Sequence, residues 1–173
     1  KMTSNDFGSM AAARNPSQTA PPTTLRDGFH LIPNDPIEYT VDRGSNNNYV
    51  DITYTISTKD RVARIAFNRP EKLHAFRPIT IREIQHALED ATDDGEIAVI
   101  LLSSNCSPGL YTPAFCAGGD QSVRDTTGYQ DGSEKAPKLR VLDLQIQMRR
   151  CPKPIIAIVQ GYAIGGGHIL HML

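Results

Sequence analysis

The sequence predicts an α/β fold with a largely parallel inner sheet. Strand-like and helix-like segments alternate along the chain after an opening hairpin. Residues 97–102 and 155–159 are short, continuous apolar runs, as in strands covered on both faces. No pattern recurs at a fixed period, so a solenoid is not expected.

Residues 1–48 are rich in Ser, Thr, Asn, Pro and Gly, and Pro16, Pro21, Pro22, Pro33 and Pro36 break any periodicity. Such a stretch buries too little apolar area to offset its ordering entropy, so a disordered or loosely ordered extension is expected, with Phe29, His30, Leu31 and Ile32 as a local packing patch. Order is expected from Tyr49, which makes residues 49–173 the folded part. Val50, Ile52, Tyr54 and Ile56 alternate with Asp51, Thr53, Thr55 and Ser57, the signature of a half-buried strand. A turn at Thr58, Lys59 and Asp60 leads into a second strand over residues 61–68, and Pro70 closes the hairpin. Thr80 and Glu83 have capping-box spacing ahead of a helix whose Ile81, Ile84, Leu88 and Ala91 share one face. Gly95 is placed to end that helix in a left-handed conformation. Residues 97–102 form a buried strand and 103–112 a loop. In the next helix, Leu139, Leu142, Ile146 and Arg149 share a face, with Val141, Leu144 and Met148 beside it. Pro152 and Pro154 end it, residues 155–159 return as a buried strand, and Gly161 and Gly165 to Gly167 open a final apolar helix.

Composition excludes several functions. The net charge is −1 and the 18 Lys and Arg are scattered, which leaves no basic stripe for nucleic acid. No apolar run reaches the length of a membrane span, and the N-terminus lacks the apolar core of a secretory signal. Cys106, Cys116 and Cys151 show no metal spacing and no even-numbered disulfide framework, so reduced thiols in an intracellular, cytoplasmic protein are expected. The chain opens Lys1-Met2 and stops inside an apolar pattern at Leu173; both features read as a piece of a longer sequence.

Two segments could carry chemistry. In Phe115-Cys116-Ala117-Gly118-Gly119-Asp120-Gln121, successive glycines allow backbone geometry that side chains forbid and leave N–H groups open to a ligand. In Tyr162-Ala163-Ile164-Gly165-Gly166-Gly167-His168, three glycines follow a strand and open a helix, which aims N–H groups at one point. The plain alternatives are a tight turn and close helix-on-sheet packing. The spacing fits neither a dinucleotide fingerprint nor a phosphate loop. Together, the segments could each supply one N–H to a shared oxygen, the design of an oxyanion hole. Loss of one such donor typically costs about 2.7–4 kcal/mol of transition-state stabilisation. Other candidates read more simply. His168 and His171 are packing residues without a third metal ligand, and Cys116 is a small buried hydrophobe. Asp120 caps the following turn rather than acting as a base.

Asn68-Arg69-Pro70-Glu71-Lys72-Leu73-His74-Ala75-Phe76, Ala117-Gly118-Gly119-Asp120 and Gly161-Tyr162-Ala163-Ile164-Gly165-Gly166-Gly167 resemble, in order and spacing, three segments of the crotonase family of acyl-CoA enzymes. The resemblance runs from about Tyr49 to Leu173. It implies a crotonase-like spiral of ββα units, and trimers or hexamers of a full-length chain. It also implies a CoA thioester as substrate, with no covalently bound cofactor and no metal. Gly119 and Gly166 would hold the thioester oxygen through their N–H groups, while Lys72, Leu73 and Ala75 would lie along the CoA moiety. Ala117, Gly118, Asp120, Gln121, Tyr162, Ala163, Ile164 and Gly165 would line the substrate site, and Tyr129 would hydrogen-bond the substrate from a loop. Where hydratases of the family carry a catalytic Glu after the glycine triplet, this chain has Ile169, which cannot move a proton.

Ala75-Phe76-Arg77-Pro78, Gly128-Tyr129, Cys151-Pro152-Lys153-Pro154 and Gly165-Gly166-Gly167-His168-Ile169-Leu170-His171-Met172 resemble the dihydroxynaphthoyl-CoA synthase branch. Leu73-His74 departs from that branch, where Arg-Asn is common. The reaction implied is ring closure of o-succinylbenzoyl-CoA, with bicarbonate or an Asp beyond Leu173 as the base. The alternatives are another crotonase-family isomerase or hydrolase, or a non-catalytic relative that binds acyl-CoA or associates with full-length subunits.

Overall fold

The computed structural model describes residues 37–105, 113–130 and 138–173. The readings of residues 1–36, including the packing patch at 29–32, of Cys106 and of most of the 103–112 loop lie outside the described residues.

The expected hairpin is present. Strands β2 (Ile52–Ser57) and β3 (Val62–Phe67) pair antiparallel, from Ile52 opposite Phe67 to Ser57 opposite Val62. Ser57 closes the turn by donating its hydroxyl to Asp60 (2.7 Å) and accepting the Asp60 N–H. Alternation then buries Ile52, Tyr54 and Ile56 on the inner face. Strand β4 (Val99–Ser104) runs parallel to β3, and β8 (Ile155–Ala157) parallel to β4. Strand β1 (Val41–Asp42) pairs antiparallel with β2, which gives the sheet order β1-β2-β3-β4-β8. Alternating strand and helix units thus build a mixed α/β architecture, as expected.

Helix α2 (Pro78–Asp93) packs its Ile81, Ile84, Leu88 and Ala91 stripe into the core beside the sheet. It begins two residues before Thr80, because Pro78 supplies a preset φ and has no N–H to satisfy. Thr80 therefore sits inside the first turn, where its Oγ1 accepts the Arg77 N–H at 3.0 Å. Glu83 is not its capping partner: it accepts the Val50 and Asp51 N–H groups at 2.8 and 2.9 Å. Asp94, in an extended conformation, ends the helix, and Gly95 is not left-handed. Carbonyls at this end are met by cations from elsewhere, Lys153 Nζ at Ala91 and Asp94 and Arg61 at Gly95 and Glu96.

Three further expectations need correction. Regular structure begins before Tyr49, with β1 and the short helix α1 (Arg43–Asn46). Arg43 anchors that segment by pairing with Asp90 and Asp94 of α2, each at 2.5 Å. In α3 (Val141–Arg150) the buried stripe is Leu144 and Met148, with Val141 partly buried; Leu142 and Ile146 are exposed. Both faces of this helix are apolar, so periodicity alone did not choose between them. Strand β8 lies at the sheet edge rather than between covered faces, and Ile156, Ile158 and Val159 are exposed.

Candidate active site

Two short parallel strands carry the glycine segments. Strand β5 (Ala114–Cys116) pairs with β9 (Tyr162–Ala163), with Ala114 opposite Tyr162 and Cys116 opposite Ala163. Phe115 fixes β5 against the main sheet by an edge-to-face contact with Phe67, and Ser104 Oγ donates to the Ala114 carbonyl at 2.7 Å. Parallel strands in register deliver their following residues to the same edge. Ile164 N–H meets the Cys116 carbonyl at 3.0 Å, and helix α4 (Gly166–Leu170) starts directly beyond.

The glycines make this approach possible. Gly118 has φ +88°, and a β-carbon there would lie 2.9 Å from the Ile164 carbonyl oxygen and 3.4 Å from the Gly166 nitrogen. A β-carbon on Gly167 would sit 2.2 Å from the Cys116 carbonyl oxygen. The close-packing role and the convergence of the two segments are therefore one geometry. Gly119 faces Phe76 across an isolated parallel bridge, in which Phe76 N–H donates to the Gly118 carbonyl and Asp120 N–H to the Phe76 carbonyl, each at 2.8 Å. Among the described residues, neither the Gly119 nor the Gly166 N–H donates a hydrogen bond.

Tyr129 lies on a small hairpin of β6 (Arg124–Asp125) and β7 (Gly128–Tyr129). Its hydroxyl would be 2.1 Å from a β-carbon at Gly119, so it rests against that glycine. Exposed Gln121 donates from Nε2 to the Gly119 carbonyl at 3.0 Å and to the Tyr129 hydroxyl at 3.3 Å. Leu73 and His74 both adopt left-handed backbone (φ +48° and +58°), and the Leu73 carbonyl accepts the Ala117 N–H at 3.0 Å. Ala75 is buried beside them. Contacts thus link Leu73, Ala75, Ala117, Gly118, Gly119, Asp120, Gln121 and Tyr129 to Ile164 and Gly166, while Gly165, Lys72 and Tyr162 are exposed and Ala163 packs against the core.

A buried ionic network underpins the site, and sequence reading missed it. Asp51, 1% exposed, receives Arg77 Nε and a terminal Arg77 nitrogen at 2.8 Å each, plus the Thr80 hydroxyl at 2.5 Å. Arg69 lies 3.8 Å from Asp51, donates to Asp120 at 2.8 Å and also donates to the Ala75 carbonyl. Burial opposes ionisation of Asp51, but the Arg77 and Thr80 hydrogen bonds outweigh it and hold the carboxyl below its ordinary value. Asp120 is likewise lowered: burial is outweighed by hydrogen bonds from Ser122 and Arg69. It caps the following 3₁₀ turn by accepting the Ser122 N–H at 3.0 Å, the role expected for it. Burial pushes the Cys116 thiol up to about 12, which removes it as a nucleophile at neutral pH. His168 and His171 meet each other at 2.9 Å, and the His171 ring packs on Phe115. Among the described residues, no group of three or more His, Cys, Asp or Glu is placed to hold a metal ion, and no helix is long and apolar enough to cross a membrane.

Residues 57–173 match the profile of the enoyl-CoA hydratase/isomerase family. The chain belongs to that family, the crotonase superfamily. It is 41% identical over 133 residues to 1,4-dihydroxy-2-naphthoyl-CoA synthase from two strains of Mycobacterium tuberculosis, which covers 71% of this chain and 42% of the relative. Among solved structures, a probable enoyl-CoA hydratase from Mycobacterium thermoresistibile superposes with a TM-score of 0.54 at 32% identity, covering 70% of this chain and 46% of that one. A probable enoyl-CoA hydratase from Mycobacterium smegmatis gives 0.55 at 32% identity, covering 71% and 46%. The chain thus spans less than half the length of these family members.

Proposed function

We propose that this chain forms the oxyanion-holding part of a crotonase-type site that closes the ring of o-succinylbenzoyl-CoA to give 1,4-dihydroxy-2-naphthoyl-CoA. The observation that carries the reading is the approach of the two glycine segments, Gly118 lying against Ile164 and Gly166, with the Gly119 and Gly166 N–H groups bonded to no acceptor among the described residues. In the proposed reaction a base removes a proton beside a carbonyl, the carbanion attacks a second carbonyl, and loss of water completes the aromatic ring. The two N–H groups stabilise the thioester enolate. Tyr129, held against Gly119, hydrogen-bonds the substrate. Lys72, Leu73 and Ala75 follow the CoA moiety, and exposed Lys72 meets a phosphate.

Two observations favour ring closure over hydration: Ile169 at the position of the hydratase acid, and the 41% identity to the naphthoyl-CoA synthases. The Asp120 carboxylate is occupied by Arg69 and Ser122 and held below its ordinary value, which makes it a poor base, and burial keeps the Cys116 thiol protonated. The base is therefore assigned to bicarbonate or to an Asp outside residues 1–173, and the working assembly to a cytoplasmic trimer or hexamer.

The test uses o-succinylbenzoyl-CoA and follows the naphthoyl-CoA absorbance. Peptide ligation at Cys151 allows Gly166 to be replaced by glycolate, which removes the N–H but keeps the shape. Product is expected from the chain extended to the full length of its relatives and supplied with bicarbonate, and the glycolate form of that protein should turn over about 10²–10³-fold more slowly. Absence of product rules out ring closure, whereas an unchanged rate with glycolate rules out the oxyanion role.

A further inference from the structure

Strand pairing brings the roots of the two glycine segments together but does not fix their tips. The last cross-strand contact, Ile164 N–H to the Cys116 carbonyl, lies two residues before Gly166 and three before Gly119. Beyond it Gly118 lies against Ile164 and Gly166, and among the described residues Phe76 makes contacts with both segments nearer their tips. Its backbone is bonded to the residues flanking Gly119, through the Gly118 carbonyl and the Asp120 N–H. The tip of its ring reaches the other segment: a β-carbon on Gly166 would lie 2.6 Å from Phe76 Cζ and 3.1 Å from Cε1. The same tip also faces Gly119, whose β-carbon would lie 3.6 Å from Cε2.

Phe76 has little room to move. It is 2% exposed. Arg69 grips the chain on either side of the bridge, at the Ala75 carbonyl and the Asp120 carboxylate. A phenyl ring has few torsions, so a buried ring with a tethered backbone transmits position well. We propose that Phe76 is a positioning residue that sets the separation of the Gly119 and Gly166 N–H groups, its ring acting as a spacer between the segments. This rests on the oxyanion reading. It adds that the hole is gauged by a side chain that donates no hydrogen bond to the substrate.

The probe is benzoyl-CoA labelled with ¹³C at the thioester carbonyl, read by isotope-edited infrared spectroscopy, with a parallel titration of CoA alone. Bound to the unaltered chain, the carbonyl band should move to lower frequency. Phe76→Leu shortens the spacer while keeping a branched apolar side chain. It should lose at least about half of that displacement, with the Kd for CoA changed less than about twofold. Gly166→Ala places a methyl against Phe76 Cζ and should also lose the displacement, and Phe76→Leu in the same chain should restore part of it. That crowding test stands even if Phe76→Leu alone folds poorly.

A full displacement in Phe76→Leu, or in Gly166→Ala, overturns the spacer role. So does a loss of displacement matched by an equal loss of CoA binding, because a purely structural role predicts that. No displacement in the unaltered chain would instead overturn the oxyanion reading itself.

Discussion

Asp51 accepts three short hydrogen bonds in a place from which water is nearly excluded, and it does so next to two arginines. Removing one member of such a set leaves uncompensated charge behind. Asp51→Ala is expected to lower stability by about 3–5 kcal/mol, measured by urea unfolding; a loss under 1 kcal/mol would mean that the arginines find water instead. Arg69→Lys should also weaken the site, because one ammonium cannot hold the Ala75 carbonyl and the Asp120 carboxylate in the same fork. The pH response has a definite sign. Asp51 and Asp120 ionise below their ordinary value when folded, so the unfolded chain takes up their protons first as pH falls. Their contribution is complete above about pH 4 and is lost as pH drops through the lower folded values. Glu83 acts oppositely, since burial raises it and the folded chain takes its proton first. An acid transition followed by circular dichroism should therefore begin below about pH 4, and a midpoint at pH 5 or higher would contradict the network. Cys116, with its thiol pushed up to about 12 by burial, should resist alkylation in the native chain at pH 8 and react only after unfolding.

At the scale of elements, much was legible and the failures share a cause. The β2–β3 hairpin and the buried stripe of α2 follow from period 2 and period 3.6, because each element has one wet face and one dry face. Strand β8 and helix α3 do not: an apolar run reads the same whether it is covered or lies at an edge, and α3 is apolar on two faces. Thr80 and Glu83 had capping-box spacing, but Pro78 moved the helix start and freed Glu83 to bind the Val50 and Asp51 amides. The junction of β5 and β9 makes a sharper prediction. Gly118 combines φ +88° with a carbonyl 2.9 Å from where a β-carbon would be. Gly118→Ala should cost at least about 1–2 kcal/mol from backbone conformation alone, with further loss from separating Gly118 from Ile164. Thermal unfolding of the variant checks it, and an unchanged Tm would show that the strand ends move apart freely.

The molecule as a whole explains why the glycine segments were readable and their support was not. Ala117 to Asp120 and Gly165 to Gly167 are contiguous, and their meaning lies in backbone geometry that glycine permits at each position. The support is dispersed. Asp51 and Arg77 are 26 residues apart, and Arg69 and Asp120 are 51 apart, so no local spacing signals either pair. Phe76 stands within a recognisable stretch, yet its reach to Gly166 exists only once β5 and β9 are paired. Folding order follows from the same arrangement. The hairpin and α2 are built from neighbouring residues, whereas β8 must find β4 across more than fifty residues of chain. The glycine pair should thus form late, after the sheet that presents it.

The two unengaged glycine amides also set a clock. An N–H bonded inside a folded protein exchanges with deuterated water only when its bond opens, whereas one without an acceptor needs no such opening. Gly119 and Gly166 are each followed by a bonded amide, Asp120 to the Phe76 carbonyl and Gly167 to the Ile164 carbonyl. In deuterium exchange read residue by residue, each of these fast glycines should precede a slow neighbour. A thioester seated between them should slow both together while leaving Asp120 and Gly167 unchanged. The spacing of the hole would then be read from its own hydrogens, with no turnover required.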